Sequence, residues 1–167
     1  KNQNRNHLSI ISSDTGSYGV DINSNLPSLL NTVLNYDEKF IIEYIEDVHP
    51  IWVVKYKNAF VEIFKSGRIK SFLTAIQSGS ESILKSMKRN CDLNEFINSI
   101  IEIRNAYPEI KIGTQIIIGY PTETEKDIDE TIALLEKCRF NQIDIFTYYE
   151  LEGADSNKLE PKIFSEI

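Results

Sequence analysis

Lys111–Thr124, KIGTQIIIGYPTET, is the stretch from which the fold of this chain is read. Ile110–Ile118 is short, apolar and rich in β-branched residues, the pattern of a buried strand, and it runs into a Gly119-Tyr120-Pro121 turn. A helix then opens at Thr122 or Thr124. Strand, tight turn and helix N-terminus together leave free backbone N–H groups and small side chains beside the carboxyl end of a strand. In parallel sheets and barrels, that is where ligands bind.

Working outward, the same unit recurs. Strands are predicted at His7–Ser13, Lys39–Glu46 and Ser71–Gln77 upstream and at Asn141–Tyr149 downstream. Between them lie helical stretches. Asn25 caps one, with Pro27 in its first turn and Leu26, Leu29, Leu30, Val33 and Leu34 as its apolar stripe. Trp52–Phe64 is predicted as one helix, stopped at Gly67, and Ser82–Lys88 as another, with Ser80 as its N-cap. Asp92, with Glu95 three residues on, caps a helix to about Tyr107 that Pro108 ends. Thr124 caps a helix through Lys137, whose buried side is expected to be Ile128, Ile132, Leu134 and Leu135. Glu123 and Glu125 suit its dipole, and Lys85, Lys88 and Arg89 read as a solvated face. Residues 1–6 read as a frayed end or the tail of a preceding helix.

Strands alternating with helices imply parallel pairing through right-handed crossovers. The expected fold is α/β, one domain over residues 1–167. It is an open, curved parallel sheet of about five βα units, part of a partial (β/α)6 TIM-like barrel; a flat sheet covered on both faces is the alternative. In either, Asp14–Gly19, Asp47–His49, Gln77–Ser80, Gly119–Glu123 and Tyr148–Tyr149 leave carboxyl strand ends and converge on one rim. Asp14 and Thr15 also fit a plain surface turn in which they cap local N–H groups.

The chain has 167 residues, a formal net charge of −7 and a pI near 4.9. That acidity argues against a general nucleic-acid-binding surface. No apolar run approaches the roughly 20 residues of a membrane span, and no signal peptide is expected. Cys91 and Cys138 stand far apart with no CxxC spacing, so they read as two buried or half-buried thiols in a reducing, cytoplasmic compartment. The start at Lys1 points to a processed, excised or partial chain. His7 and His49 are the only histidines, and no nucleophile–base order is visible. No residue is therefore assigned a catalytic or metal-ligating role. The hydroxyl, amide, glycine and aromatic groups of the rim suit a polar small molecule carrying an adenine or sugar, with the reactive group supplied from elsewhere.

Five segments carry a resemblance. ISSDTGSYGVDI (11–22) is followed by the Val48-His49-Pro50 exit, IQSGSESILKSMKR (76–89), TQIIIGYPTETEKDIDETIALL (114–135) and DIFTYYELEGADSNKL (144–159). In this order and spacing they resemble the later part of the radical S-adenosylmethionine domain of the methylthiotransferases, over roughly residues 7–160. These enzymes insert a methylthio group into a tRNA adenosine or a ribosomal-protein aspartate. The resemblance implies a six-stranded partial barrel whose first strand leads into a CxxxCxxC loop holding a [4Fe–4S] cluster. The cluster's open iron binds S-adenosylmethionine and yields a 5′-deoxyadenosyl radical. This chain is expected to begin just before the second barrel strand. The cluster loop would then lie in a missing N-terminal part of the same protein, and substrate tRNA or ribosomal protein would be reached through domains absent here. Alone, the chain is expected to be inactive, and neither Cys91 nor Cys138 matches a ligand position.

Carried over residue by residue, the resemblance places Asp14 and Thr15 near the methionine amino group of the cofactor. It places Gln77 and Ser78 near its ribose and methionyl end, Ile118 and Gly119 on the adenine, and Tyr148 beside it. Two departures stand out. The family usually has Gly-Glu-Thr where this chain has Thr122-Glu123-Thr124, and an arginine common near the start of that strand is replaced around Gly113, which leaves open what binds the cofactor carboxylate. The competing readings are another radical-SAM subclass with a similar half-barrel and a non-catalytic domain binding an adenine nucleotide or a protein. Leu8–Ser12 is expected to be an uncovered strand edge, which makes the isolated chain poorly soluble or dimeric.

Overall fold

In the computed structural model, which describes residues 6–163, five strands lie side by side in chain order, every neighbouring pair parallel. They are β1 (His7–Ile10), β2 (Ile41–Ile45), β3 (Ser71–Leu73), β4 (Lys111–Ile118) and β5 (Gln142–Thr147). Lys1–Arg5, most of the expected frayed start, lie outside the described residues, while the carbonyl of Asn6 accepts the N–H of Ile41 at 2.8 Å. The helices are α1 (Leu26–Tyr36), α2 (Pro50–Lys55), α3 (Lys57–Phe64), α4 (Glu81–Ser86), α5 (Leu93–Ala106) and α6 (Glu125–Cys138).

A strand order without reversal decides between the two expected architectures. Right-handed crossovers that always step in the same direction lay every helix on the same side of the sheet. Burial along β4 agrees: Ile112, Thr114 and Ile116 are buried, whereas Lys111, Gly113, Gln115 and Ile117 are not. The sheet is thus open on one face, and the doubly covered alternative is excluded. The core fills the covered face. Running into it is an aromatic file down α2 and α3 onto β3, Trp52–Tyr56–Phe60–Phe64–Phe72, with successive ring centroids 5.6, 5.9, 5.4 and 5.6 Å apart. Each contact of this kind contributes about 1 kcal/mol beyond area burial.

Several local expectations change. The single helix expected over Trp52–Phe64 begins earlier, at Pro50, and is split at Tyr56 into α2 and α3. His49 is its cap: Nδ1 accepts the N–H of Ile51 at 3.3 Å. Ser80 stands at the N-cap of α4 but makes no capping bond with its side chain. Asn25, Asp92 and Thr124 do cap as their positions predict, Thr124 in a reciprocal box with Asp127.

The largest change is the facing of α6. Ile128 and Ile132 are 40% and 48% exposed, while Asp127, Thr131, Leu134 and Cys138 are buried. The helix is turned so that its polar residues meet the loop leaving β3, and hydrogen bonds there outweigh the apolar stripe. Ile101 of α5 is likewise exposed. At the far edge, Ile143 and Ile145 pair in register with Thr114 and Ile116 and so face the covered side, yet they are 39% and 61% exposed. Among the described residues no helix is long and apolar enough to cross a membrane.

Candidate functional site

The strand exits are stitched to one another by backbone bonds. Thr15 N–H donates to Asp47 at 3.0 Å, Val48 to Leu73 at 2.9 Å, Thr74 to Gly113 at 3.0 Å and Tyr148 to Ile118 at 2.8 Å. Each exit loop is thus tied to its neighbour, and the polar motifs stand along one rim. Two hollows open there. One, about 560 Å³, lies at the ends of β3, β4 and β5 against Gln77, Arg89, Ile117, Tyr120, Phe146 and Tyr148. The other, about 350 Å³, is lined by Ser12, Ser13, Glu46, Asp47, Leu73 and Gln115. The first is within the range of small-molecule sites. A further hollow of about 530 Å³ lies among α4, α5 and α6, behind the sheet.

The wall formed by β4 and β5 is apolar and aromatic. Tyr120 and Tyr148 meet edge to face with centroids 5.3 Å apart, and the Tyr148 hydroxyl donates to Ser156 at 3.0 Å. The tail after β5 borders the same hollow with Leu151, Asp155 and Ser156, and Lys88 pairs with Asp155 at 2.7 Å. The turn at the end of β4 is built on Glu123, which is buried and accepts the Gly119 N–H at 2.6 Å. Burial raises its pKa against the pull of the Gly119 and Tyr120 N–H groups. Its role is therefore to hold the turn from inside, which goes beyond the dipole contact expected of it.

The opposite wall is polar. Gln77 has a left-handed backbone, with φ of 72°, and its Oε1 is buried without a hydrogen-bond partner among the described residues. Arg89, expected in the solvent, is half buried. It donates to the Ala75 carbonyl at 2.9 Å while its Nε is buried and unpartnered among the described residues. Burial lowers its pKa, opposed by Asp47 and Asp14. Arg89 thus lies between the hollow and the exits of β1 and β2. There Asp14 accepts the indole N–H of Trp52 at 2.9 Å through Oδ2, while Oδ1 is buried and unpartnered among the described residues. Asp47 is raised by burial, with Arg89 opposing, and His49 is lowered by burial and by Arg89. Because His49 Nδ1 accepts a backbone N–H, the neutral ring carries its proton on Nε2.

The sequence-predicted residues are therefore distributed unevenly. Gln77 and Tyr148 line the larger hollow. Ile118 and Gly119 fall between Ile117 and Tyr120 in the chain but do not line it: Ile118 shares the face of β4 that buries Ile112, Thr114 and Ile116, and Gly119 has φ of 75° and open space around it. Asp14 and Thr15 stand at the neighbouring exit; Thr15 is buried, with its hydroxyl unpartnered among the described residues. Ser78 is buried and turned away, toward Thr131 of α6. Arg89 is the residue that sequence reasoning missed. Its place just past the end of a short helix was the available signal, outweighed by the run of cations it shares with Lys85 and Lys88.

A fit to S-adenosylmethionine rests on these groups: an aromatic wall for an adenine, a buried amide oxygen for a hydroxyl or ammonium, and a guanidinium for a carboxylate. Among the described residues no three His, Cys, Asp or Glu side chains are placed to hold a metal ion. Burial pushes the Cys91 thiol up to about 11 and the Cys138 thiol up to about 12. The described residues therefore do not fit an iron–sulfur cluster.

Comparison with known proteins gives the following. Residues 22–135 match the model of the Radical SAM superfamily. The chain is 34% identical over 161 residues to the "Probable threonylcarbamoyladenosine tRNA methylthiotransferase" of Methanothermobacter thermautotrophicus, covering 96% of this chain and 38% of that protein. It is 32% identical to the human threonylcarbamoyladenosine tRNA methylthiotransferase, over 90% of this chain and 26% of that one. It is also 32% identical to ribosomal protein uS12 methylthiotransferase RimO of Thermosipho melanesiensis, over 95% and 37%. The chain thus spans between about a quarter and two fifths of these relatives. In fold it is similar to coproporphyrinogen III oxidase (HemN) from Escherichia coli, with a TM-score of 0.56 at 16% identity over 74% of this chain and 28% of that one. It is similar also to methylornithine synthase (PylB), with a TM-score of 0.57 at 8% identity over 92% and 42%.

Proposed function

The chain belongs to the Radical SAM superfamily, and from that premise we propose that it is the S-adenosylmethionine-cradling part of a methylthiotransferase acting on a tRNA adenosine or a ribosomal-protein aspartate. One observation carries the reading: Arg89 Nε and Gln77 Oε1, without partners among the described residues, are buried at the hollow that Tyr120, Tyr148 and Ile117 wall on the other side. Arg89 takes the cofactor carboxylate, the role that Gly113 leaves open. Gln77 Oε1 accepts from a ribose hydroxyl or the ammonium, and Asp14 Oδ1 is a second acceptor for the ammonium. The adenine lies on Ile117 and Tyr120 beside Tyr148. Ser78 acts from behind, through the loop it braces.

When bound with its cluster, the cofactor supplies a 5′-deoxyadenosyl radical. The cysteine ligands of that [4Fe–4S] cluster are placed in the N-terminal part of the same protein, outside this chain. This chain's own residues orient the cofactor and shield its nucleoside from water. Relatives named for tRNA and for ribosomal-protein substrates support both substrate classes, and both fit a cytoplasmic enzyme that recognises its substrate through other parts of the protein.

The test is calorimetric titration of the 167-residue chain with S-adenosylhomocysteine, which needs no cluster. Saturable binding that 5′-methylthioadenosine competes away is expected. No heat from the wild-type chain at millimolar ligand overturns the reading.

A further inference from the structure

Behind the rim, a buried chain of hydroxyl and carboxylate groups joins the exit of β3 to α6. The Gly79 N–H donates to Thr131 Oγ1 at 2.8 Å, and Thr131 Oγ1 donates to the Asp127 carbonyl at 2.9 Å. The Ser80 N–H donates to Ser78 Oγ at 3.1 Å, and Ser78 Oγ lies 3.4 Å from Thr131 Oγ1. The Asp127 carboxylate accepts the rest. Its Oδ1 takes Ser80 Oγ at 2.5 Å and Ser82 Oγ at 3.0 Å, and its Oδ2 takes the Thr124 N–H at 2.9 Å and hydroxyl at 2.6 Å. At Gly79 backbone lies directly on backbone: a Cβ there would stand 2.5 Å from Thr131 Cα and 2.6 Å from the Glu130 carbonyl oxygen.

Gln77 sits two residues before Gly79 in a left-handed conformation that is disfavoured for a non-glycine residue. Such strain persists only where its surroundings over-determine it, and it gathers at functional positions. One clamp is β4, which takes the Gln77 N–H on the Gln115 carbonyl at 2.9 Å and gives the Ile117 N–H to the Gln77 carbonyl at 2.9 Å. The other is the knot on α6. The two grip the chain on either side of Ser78, so the direction of the Gln77 side chain is set between them.

We infer that Thr131 and Asp127 are positioning residues: through Gly79, Ser78 and Ser80 they hold Gln77 in its left-handed conformation and keep its side-chain amide at the wall of the rim hollow. This deepens the cofactor-site reading above and rests on it only for the meaning of that amide. Thr131 is not part of the hollow's lining, and Asp127 is not either, so neither is a ligand residue. The polar stripe of α6 thereby acquires a purpose that its sequence spacing does not disclose.

The experiment compares Thr131→Val, which keeps the shape and loses the acceptor, with Thr131→Ser, which restores it. Asp127→Asn is the second lesion, and Ile103→Val in the core is a control for general loss of stability. The first readout needs no ligand: the side-chain NH2 resonances of Gln77 in 15N spectra of the whole chain, assigned with Gln77→Glu. They are expected to move or broaden in Thr131→Val and Asp127→Asn and to stay at the wild-type position in Thr131→Ser and Ile103→Val. The second readout is the Kd for S-adenosylhomocysteine, expected to weaken about 10-fold in Thr131→Val and less than about 3-fold in Thr131→Ser, where tenfold corresponds to about 1.4 kcal/mol. Unchanged Gln77 resonances in both lesions, or equal shifts in the core control, overturn the inference. If the wild-type chain binds no S-adenosylhomocysteine, the cofactor reading fails, and the resonances alone still decide this one.

Discussion

Glu123 accepts the backbone N–H of Gly119 at 2.6 Å across the turn that leaves β4. A buried carboxylate here substitutes for the strand partner that the chain loses at the rim. Glu123→Ala removes the acceptor of the half-buried Gly119 N–H and is expected to lower stability by about 2 kcal/mol. Glu123→Gln keeps an acceptor oxygen and should lose less. The folded-state pKa of Glu123 is raised, above all by burial. Its contribution is therefore full below the ordinary value and falls as pH rises through the folded one. Thermal melts at stepped pH should show this decline in the wild type and not in Glu123→Gln.

Thr122, in the same turn, has φ of 74°. A β-branched residue is poorly suited to that conformation, and glycine is its natural occupant. Its N–H donates to the Pro161 carbonyl at 2.9 Å, a bond that glycine keeps. Thr122→Gly is expected to gain about 1 kcal/mol, read as a rise of about 3 °C in melting temperature. An unchanged or lower melting temperature would show that the threonine side chain contributes more than its strain costs.

Asp127 carries the opposite pH signature. Burial alone would raise its pKa, but hydrogen bonds from Ser80, Thr124 and Ser82 outweigh it and hold the carboxyl at about 2, below its ordinary 3.8. The stability this lends is present above about pH 4 and is lost as pH falls through the folded value. Asp127→Asn should cost about 2 kcal/mol at neutral pH, in the range for bonds to a charged group. The melting curves of variant and wild type should converge near the bottom of the acid limb.

Gly79 and Gly119 should respond differently to alanine. At Gly79 the added methyl meets backbone of α6, which cannot step aside, and a loss of about 3 kcal/mol or more is expected. At Gly119 the methyl meets nothing within 4 Å and only the positive φ is penalised, which costs about 1 kcal/mol. Urea titrations of the two variants settle the order; equal losses would mean the loop is not pressed on α6.

Arg89→Met should leave the fold largely intact and weaken S-adenosylhomocysteine binding by about 10-fold or more, the size of a charge-assisted bond. Calorimetry beside a melting curve separates the two effects. An unaltered Kd would remove Arg89 from the carboxylate role.

Much of the architecture was legible from neighbours in the chain. The five strands, the caps at Asn25, Asp92 and Thr124 and the parallel α/β class rest on periodicity and on contacts three or four residues apart. The grouping of polar motifs at strand exits followed from the same regularity. The split at Tyr56 was hidden because the apolar spacing on either side of it is continuous, and the start at Pro50 because His49 caps through its ring nitrogen. Gln77 and Tyr148 could be placed on the rim from their strands, whereas the direction each side chain takes could not.

By itself, then, the sequence determined the kind of unit, its repetition and the family to which it belongs, because these follow from local hydrogen bonding, hydrophobic period and motif order. Tertiary structure alone decided that one face of the sheet stays open, that Ile128 and Ile132 face outward, and that Arg89 is half buried. It also decided that Asp127 and Thr131 face inward. Their partners, Ser80 and Gly79, lie 47 and 52 residues away. A buried polar group is tolerated only where its hydrogen bonds are met, and partners at that separation are brought within reach only by the folded chain.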